Sequence, residues 1–210
     1  MRYLSAILAA LVLAGPAGAD TAGDFDYYVL ALSWTPNWCA AEGDARRDAR
    51  CADGAGLGWG LHGLWPQRET GWPSWCRTTE RDPTRAETAQ MGRVMGSSGL
   101  AWHQWQKHGR CSGLSAPDYF ATAARALDSV VLPAVFDALK QPVRLPARVV
   151  EEAFLEANPT LTRDMITITC KDRAVQEVRV CLTRDLAPRR CGEDVIRDCS
   201  LRDARMDPVR

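Results

Sequence analysis

The chain has 210 residues with 26 basic and 26 acidic side chains, so its formal net charge is zero. This balance excludes a generally basic coat for nucleic acid, and any binding to a polyanion must rest on a local group of cations. After the N-terminal segment described next, no stretch resembles a membrane-spanning helix, and the remaining length suits one domain.

The N-terminal segment has the order of features found in a secretory signal peptide. Arg2 precedes an almost wholly apolar run over residues 4–13, and the small residues 17–19 fit a cleavage site. The apolar run is too short to cross a bilayer. We therefore expect residues 1–19 to be removed, leaving 20–210 as an exported domain in the periplasm or outside the cell.

The predicted elements follow from residue periodicity and from turn residues. They begin with a strand at 24–34, a cysteine-stapled loop at 40–58, a strand at 57–65 and an irregular segment at 66–85. They continue with helices at 85–95, between Gly99 and Gly109, from Ser115 to about Lys140 with a break or kink at Pro133, and at 146–157. Strands follow at 165–170 and 174–182, the second with one buried and one solvent face. The irregular order predicts an α+β fold: one domain with a central, mainly antiparallel sheet flanked by helices.

Eight cysteines follow the predicted signal peptide. An even number of cysteines in an exported chain predicts a disulfide-stapled fold with four disulfides, although spacing alone leaves the pairing open. No Cys-x-x-Cys pair occurs, and this weakens both a zinc site and a redox site.

All three histidines lie in two short segments. His62 lies in Trp59-Gly-Leu-His-Gly-Leu-Trp-Pro66, while His103 and His108 lie in Trp102-His-Gln-Trp-Gln-Lys-His-Gly-Arg-Cys111. Histidine is the side chain that titrates near neutral pH, so this distribution indicates proton transfer. With a lysine and several tryptophans beside them, these histidines suit a phosphodiester flanked by bases.

The second segment has a two-sided helical pattern. At about 100° per residue, one face carries the polar side chains of His103, Gln104, Lys107 and His108. Trp102 and Trp105 fall on the other side, so we expect the helix to bury its tryptophans. The alternative is an ordinary amphipathic helix with incidental histidines.

Such a polar face suits the cleavage of RNA by its own 2′-hydroxyl. This reaction needs a base for the hydroxyl proton, an acid for the departing 5′-oxygen and cations for the developing phosphorane charge, but no metal. His62 and His108 could supply the acid and the base, and Lys107 and His103 could hold the phosphoryl oxygens.

Zinc binding by the three histidines is the rival interpretation. His103 and His108 are five residues apart, a poor chelating spacing on one helix face, and Lys107 between them would repel a cation. We therefore predict neither a metal site nor a cofactor.

The segments Leu61-His-Gly-Leu-Trp-Pro66 and His103-Gln-Trp-Gln-Lys-His-Gly-Arg-Cys111 resemble the two active-site segments of the ribonuclease T2 family. The segments 25–34 and 152–159 and the last four cysteines resemble the rest of that fold. The resemblance implies a secreted, periplasmic or vacuolar-type α+β endoribonuclease. It would cleave RNA with little base preference, through a 2′,3′-cyclic phosphate.

Matched positions imply a role for each residue of the two segments. His62 resembles the general acid, His108 the general base, His103 the phosphate-binding histidine and Lys107 the lysine that stabilises the transition state. Trp65 resembles the tryptophan that stacks on a base.

Two further positions after the first segment resemble base-contacting sites. Trp72 stands where the family often has an aromatic residue that can stack, and Gln67 where some members have an acidic residue that reads the base. Stacking accepts any base, which suits a broad substrate range. We assign Trp34, Trp59 and Trp105 to packing.

The same resemblance implies the disulfides Cys76–Cys111, Cys170–Cys199 and Cys181–Cys191 and leaves Cys39 with Cys51. The first of these would tether the loop after His62 to the end of the helix that carries the second segment. The two halves of the site would then be fixed against each other.

Gln104 departs from the family pattern, which usually has a glutamate at this position. An amide can donate a hydrogen bond to a phosphoryl oxygen, but it supplies no negative charge to favour a protonated imidazole. We expect an active enzyme with an altered rate or pH profile.

Three functions are therefore compared. The first is an exported, metal-independent and monomeric endoribonuclease for single-stranded RNA, which cannot cut DNA because DNA lacks the attacking 2′-hydroxyl. The second is a non-catalytic RNA-binding or signalling protein of the same fold, which Gln104 keeps open. The third is a metal-dependent nuclease or phosphodiesterase, which would stop working in a chelator and could accept DNA.

Overall fold

The structure, a computed structural model, describes residues 20–210, so the predicted signal peptide lies outside the described residues. The strands are β1 (Tyr27–Trp34), β2 (Trp59–Gln67), β3 (Val143–Leu145), β4 (Ile166–Lys171), β5 (Ala174–Leu182) and β6 (Ala204–Met206). The helices are α1 (Thr35–Trp38), α2 (Arg85–Met95), α3 (Ser98–Lys107), α4 (Ala116–Asp128) and α5 (Ala147–Ala157). No helix within 20–210 is both long and apolar enough to cross a membrane.

The strands form one sheet in the order β2-β1-β5-β6-β3, with β4 also paired to β5. Each strand pair is antiparallel except β5–β6, which is parallel. The predicted α+β fold with a mainly antiparallel sheet is confirmed.

The first strand is buried on both faces and organises the core. Leu30, Leu32 and Trp34 are fully buried and join the main cluster, to which side chains of α2, α3, α4 and α5 also contribute. Tyr27 and Val29 point to the opposite face and pack in a smaller cluster beside the Cys181–Cys191 disulfide. Because β1 is paired with β2 on one edge and with β5 on the other, these two strands lie at a fixed separation.

A β-bulge in β2 places the first histidine. Ala31 of β1 pairs with Gly63 but the next residue, Leu32, pairs with Leu61, so His62 is an extra residue without a partner on β1. A bulge of this kind shifts the alternation of side chains by one residue and changes the direction of the extra side chain. The leucines on both sides of the bulge can therefore face the core while His62 points away from it.

The fourth helix is shorter than predicted. It begins at Ala116 as expected, with Ser115 as its N-cap, but it ends at Asp128 instead of continuing to about Lys140. The side chain of Asn158, at the end of α5, bonds the backbone N–H and C=O of Val131 at 2.8 and 2.9 Å. These tertiary hydrogen bonds satisfy backbone groups that a longer helix would have paired internally, so the chain can leave the helix before Pro133.

The four disulfides are those that the family resemblance implied: Cys39–Cys51, Cys76–Cys111, Cys170–Cys199 and Cys181–Cys191. Trp34, Trp59 and Trp105 are buried, as their assignment to packing required.

Candidate active site

The second histidine segment occupies α3 and the turn after it. The hydroxyl of Ser97 caps the helix by accepting a hydrogen bond from the Leu100 N–H at 3.2 Å. The helix ends at Lys107, with His108 as its C-cap, and a 3₁₀ turn over Gly109–Ser112 follows. The predicted boundaries, between Gly99 and Gly109, were therefore each one or two residues too late.

Close packing explains the glycine at position 109 better than its place after the end of the helix does. A Cβ atom there would lie 2.6 Å from the ring of Trp105 and 2.8 Å from the ring of Tyr119. The backbone of the turn thus packs directly on two buried aromatic rings and is fixed beside His108.

The predicted division of α3 into a polar face and a tryptophan face is wrong in part. Gln104 and His108 are only 2% and 5% exposed, whereas Trp102 is 36% exposed. The helix meets β2 through Gln104, whose Oε1 lies against Trp65 and Gly63, so part of the polar face points into the protein. His103 stays on the exposed side of the helix.

Trp65 on β2 lies at the centre of the site. Its ring stacks on the imidazole of His108, with centroids 5.2 Å apart, and meets the ring of His62 edge-on at 5.3 Å. Its indole N–H donates to Oε1 of Gln104 at 2.8 Å, and the guanidinium of Arg179 lies 5.1 Å from the ring centroid. Trp65 therefore contacts one histidine from each of the two segments.

Gly63 gives Trp65 and Gln104 the space for their hydrogen bond. A Cβ at Gly63 would lie 2.1 Å from Oε1 of Gln104 and 2.5 Å from Nε1 of Trp65. We expect Gly63→Ala to break this bond and to lower the free energy of unfolding by about 1–3 kcal/mol. Chemical denaturation measures the effect. Gly99→Ala, where the added Cβ would meet only the Ser97 hydroxyl at an ordinary 3.6 Å, controls for the methyl group itself, and a Gly63→Ala variant as stable as wild type would contradict the expectation.

Glu177 on β5 is a site residue that sequence reasoning missed. It is 1% exposed, its Oε1 contacts Nδ1 of His62, and its Oε2 accepts hydrogen bonds from Nη2 and Nε of Arg179 at 2.8 and 3.0 Å. The prediction that one face of β5 is exposed to solvent is therefore wrong at Glu177, because residues of the site cover this side chain. The feature of the sequence that could have revealed Glu177 is an acidic residue among the apolar residues of a predicted strand.

Burial and mutual repulsion lower the basicity of two of the histidines. Desolvation, followed by the charges of Lys107, His62 and His103, lowers the pKa of His108 to about 3. Partial desolvation and the charge of Lys107 also lower the pKa of His103. His108 is therefore neutral at neutral and mildly acidic pH, in the form that accepts a proton.

The disulfide Cys76–Cys111 joins the loop after β2 to the end of α3, as the family resemblance implied. The residue before Cys76 makes a second connection. The backbone N–H of Trp75 donates to the carbonyl of Lys107 at 2.9 Å, and the Trp75 ring lies edge-on to His103 at 5.7 Å. Trp75 has a positive φ of 54°, which is uncommon for a bulky residue. No feature of the sequence indicates this contact.

The candidate base-contacting residues have different surroundings. Trp72 is 55% exposed, so a base can reach its ring, and Trp75 is similarly exposed at 52%. Gln67 is 5% exposed, and its Oε1 has no hydrogen-bond partner among residues 20–210. The expectation that Gln67 contacts a base is therefore corrected: a base cannot reach this side chain without a rearrangement.

A cleft of about 780 Å³ opens beside the site. His62, His103 and Glu177 lie along it, and it extends past Leu100 to Lys171. In the part of the chain that the structure describes, no three His, Cys, Asp or Glu side chains are grouped as metal ligands would be.

Residues 25–191 match the sequence profile described as the Ribonuclease T2 family. The chain belongs to the ribonuclease T2 family. The match includes both histidine segments and β5, so the residues gathered around Trp65 lie within the part of the chain that defines the family.

Three relatives illustrate this membership. The chain is 45% identical to a ribonuclease of Aeromonas hydrophila over 49% of its own length and 45% of the relative. It is 30% identical to a probable ribonuclease of Haemophilus influenzae over 55% of its length and 47% of the relative. The chain thus spans about half the length of these curated relatives. The fold is similar to that of RNase NT in complex with 5′-AMP, with a TM-score of 0.62, 19% identity, and 89% and 100% of the two chains covered.

Proposed function

We propose that this T2 family member is an endoribonuclease that cleaves single-stranded RNA through its own 2′-hydroxyl, without a metal or a cofactor and with little base preference. The observation that carries the proposal is that the rings of His62 and His108, one from each histidine segment, both contact the ring of Trp65. Two imidazoles brought together in this way suit a base and an acid acting on the two ends of one phosphodiester linkage.

His108 is proposed as the general base. Its pKa of about 3 keeps it neutral, and a bound phosphodiester anion offsets the repulsion from Lys107, so its basicity rises when the substrate is present. The 2′-oxygen attacks phosphorus as its proton passes to His108. The bond from phosphorus to the 5′-oxygen then breaks, and that oxygen receives a proton from His62, leaving a 2′,3′-cyclic phosphate and a free 5′-hydroxyl.

His103 and Lys107 are proposed to hold the phosphoryl oxygens. Both lie on α3 within two turns of His108, and His103 also borders the cleft. The positive charge of Lys107 and a ring N–H of His103 oppose the negative charge that develops on the phosphorane, which is where electrostatic stabilisation acts in such reactions. Gln104 is proposed to contribute indirectly, because its Oε1 already accepts the hydrogen bond of Trp65.

Base binding is proposed for Trp72, with Trp65 forming the inner wall. Trp72→Ala is expected to weaken the binding of single-stranded RNA by about 1–3 kcal/mol, because one stacked base is lost, with a smaller effect on kcat. Steady-state kinetics on short oligonucleotides measure the KM. Trp102→Ala, which removes another exposed tryptophan, is the matched control, and equal KM values for Trp72→Ala and wild type would contradict the stacking role.

The proposed site of action is outside the cytoplasm, in the periplasm or the medium, with the protein acting as a monomer. Four disulfides among residues 20–210 suit an oxidising compartment. Size-exclusion chromatography with light scattering tests the oligomeric state.

The function is tested by incubating the oxidised protein with single-stranded RNA and with DNA of the same sequence in excess EDTA, from pH 4 to pH 8. The proposal predicts RNA products with 2′,3′-cyclic phosphate ends and intact DNA. A double variant, His62→Ala with His108→Ala, purified in parallel, excludes a contaminating nuclease. Loss of cleavage in EDTA would favour the metal-dependent alternative.

A non-catalytic RNA-binding role is the second candidate, and Gln104 favours it. This position has an amide instead of the family's usual carboxylate, and the amide is buried. RNA binding without cleavage at any pH in the same experiment would support this role.

A further inference from the structure

The carboxylate that contacts His62 belongs to β5. It does not come from the second histidine segment, where the family usually has a glutamate. The second histidine segment supplies no carboxylate, because residue 104 is glutamine. Glu177, from β5, lies across β1 from His62: it pairs with Ser33 of β1, near the bulge that turns His62 away from the core. The contact therefore depends on the bulge and on the register of three strands.

The surroundings of Glu177 keep it ionised. Burial alone raises its pKa, but the hydrogen bond with His62 and the charge and hydrogen bonds of Arg179 outweigh burial, so the pKa lies below its usual value. An ionised carboxylate has no proton to donate. The hydrogen in the contact between Glu177 and His62 must therefore be on Nδ1 of His62.

This assignment fixes which nitrogen of His62 faces the substrate. With Nδ1 donating to Glu177, Nε2 is the nitrogen left for the cleft, and the His62 side chain is 33% exposed there. The Trp65 ring limits rotation of the imidazole from the other side. A carboxylate that orients a catalytic imidazole and balances its charge is a recurring arrangement in enzymes that transfer protons.

We infer that Glu177 is the positioning residue of the general acid: it holds His62 with Nδ1–H bound and Nε2–H aimed at the departing 5′-oxygen. This inference rests on the proposed function. As the bond from phosphorus to the 5′-oxygen breaks, the Nε2 proton passes to that oxygen. His62 is left neutral with its Nδ1 proton in place, and Glu177 stays ionised throughout.

A test that separates this role from a structural one uses two substrates with different leaving groups. RNA expels a 5′-alkoxide, which needs a proton, whereas a nucleoside 3′-(4-nitrophenyl phosphate) expels a phenolate, which does not. Glu177→Gln is expected to lower kcat on RNA by about 10- to 100-fold, to leave KM nearly unchanged, and to change the aryl ester rate by less than about threefold, because only the acid step is impaired.

The matched control is Glu151→Gln on α5. Glu151 is also a buried carboxylate, 6% exposed, and it is paired with an arginine, Arg163, as Glu177 is with Arg179. Both variants therefore lose a buried, paired charge. We expect Glu151→Gln to cleave both substrates as wild type does, and equal losses on the two substrates in Glu177→Gln would overturn the positioning role.

A second measurement needs no variant at Glu177. Long-range ¹H–¹⁵N correlation spectra of the full chain, with His62→Ala for assignment, report which ring nitrogen of His62 carries a proton. The inference predicts a protonated Nδ1, and a neutral His62 protonated only at Nε2 would overturn it even if Glu177→Gln failed to fold.

The outcomes also separate this inference from the proposed function. If wild type cuts RNA, His62→Ala does not, and Glu177→Gln matches wild type, only the inference about Glu177 is wrong. If wild type cuts neither substrate, the proposed function is wrong, and the spectra still decide whether Glu177 holds His62.

Discussion

His108→Phe is expected to lower kcat on RNA by about 10²- to 10⁴-fold and to lower it on an aryl ester substrate as well. Phenylalanine keeps a ring against Trp65, where the two rings now stack at 5.2 Å, but it cannot accept a proton. Both substrates need the 2′-hydroxyl to be deprotonated, so both rates should fall. Steady-state kinetics with each substrate measure the effect.

His62→Ala provides the contrasting result. Removal of the general acid should lower kcat strongly on RNA and only slightly on the aryl ester, whose leaving group departs without a proton. The two variants thus separate acid from base without reference to the pH profile. If His108→Phe spared the aryl ester while His62→Ala did not, the assignment of the two histidines would have to be reversed. Thermal unfolding of each variant excludes loss of the fold.

Gln104→Glu has the second large expected effect, a shift in the pH dependence of kcat/KM. The substitution keeps an oxygen that can accept the Trp65 N–H bond but adds a negative charge on the helix that carries His103 and Lys107 and that ends at His108. A nearby negative charge raises the pKa of an imidazole, here that of His108, by on the order of one unit. Because the base must be neutral, the acidic side of the profile should move to higher pH.

The measurement is the rate of RNA cleavage between pH 3 and pH 8 for wild type and Gln104→Glu. Wild type should keep its base neutral in mildly acidic solution, since burial and the neighbouring charges lower the pKa of His108 to about 3. Gln104→Met, which loses the hydrogen bond without adding charge, separates the two effects. Superimposable profiles for wild type and Gln104→Glu would contradict the electrostatic account.

The fold could be predicted from the sequence where the signal was local. Strand β5 (Ala174–Leu182) and helix α2 (Arg85–Met95) have the bounds predicted from their residue patterns. The fourth helix was predicted too long because the hydrogen bonds that replace its last turns come from Asn158, distant in sequence. A periodic pattern contains no information about such a partner.

The sequence singles out the two histidine segments of the candidate site but not the geometry that brings them together. The histidines stood out because there are three in the chain and all lie in two segments. The bulge at His62 and the contact of His62 with Glu177 depend on strand register, which one sequence does not specify. Trp65 matches a base-stacking position, and its contact with His108 could not be predicted because it depends on how α3 packs on β2.

The most direct test of the central claim is the cleavage of a DNA oligonucleotide that contains a single ribonucleotide, in excess EDTA. Attack by the 2′-hydroxyl predicts one cut, on the 3′ side of the ribose, with a 2′,3′-cyclic phosphate on one product and a 5′-hydroxyl on the other. A 2′-O-methyl version should remain intact. Cleavage of the methylated strand, or a product with a 5′-phosphate, would contradict the mechanism.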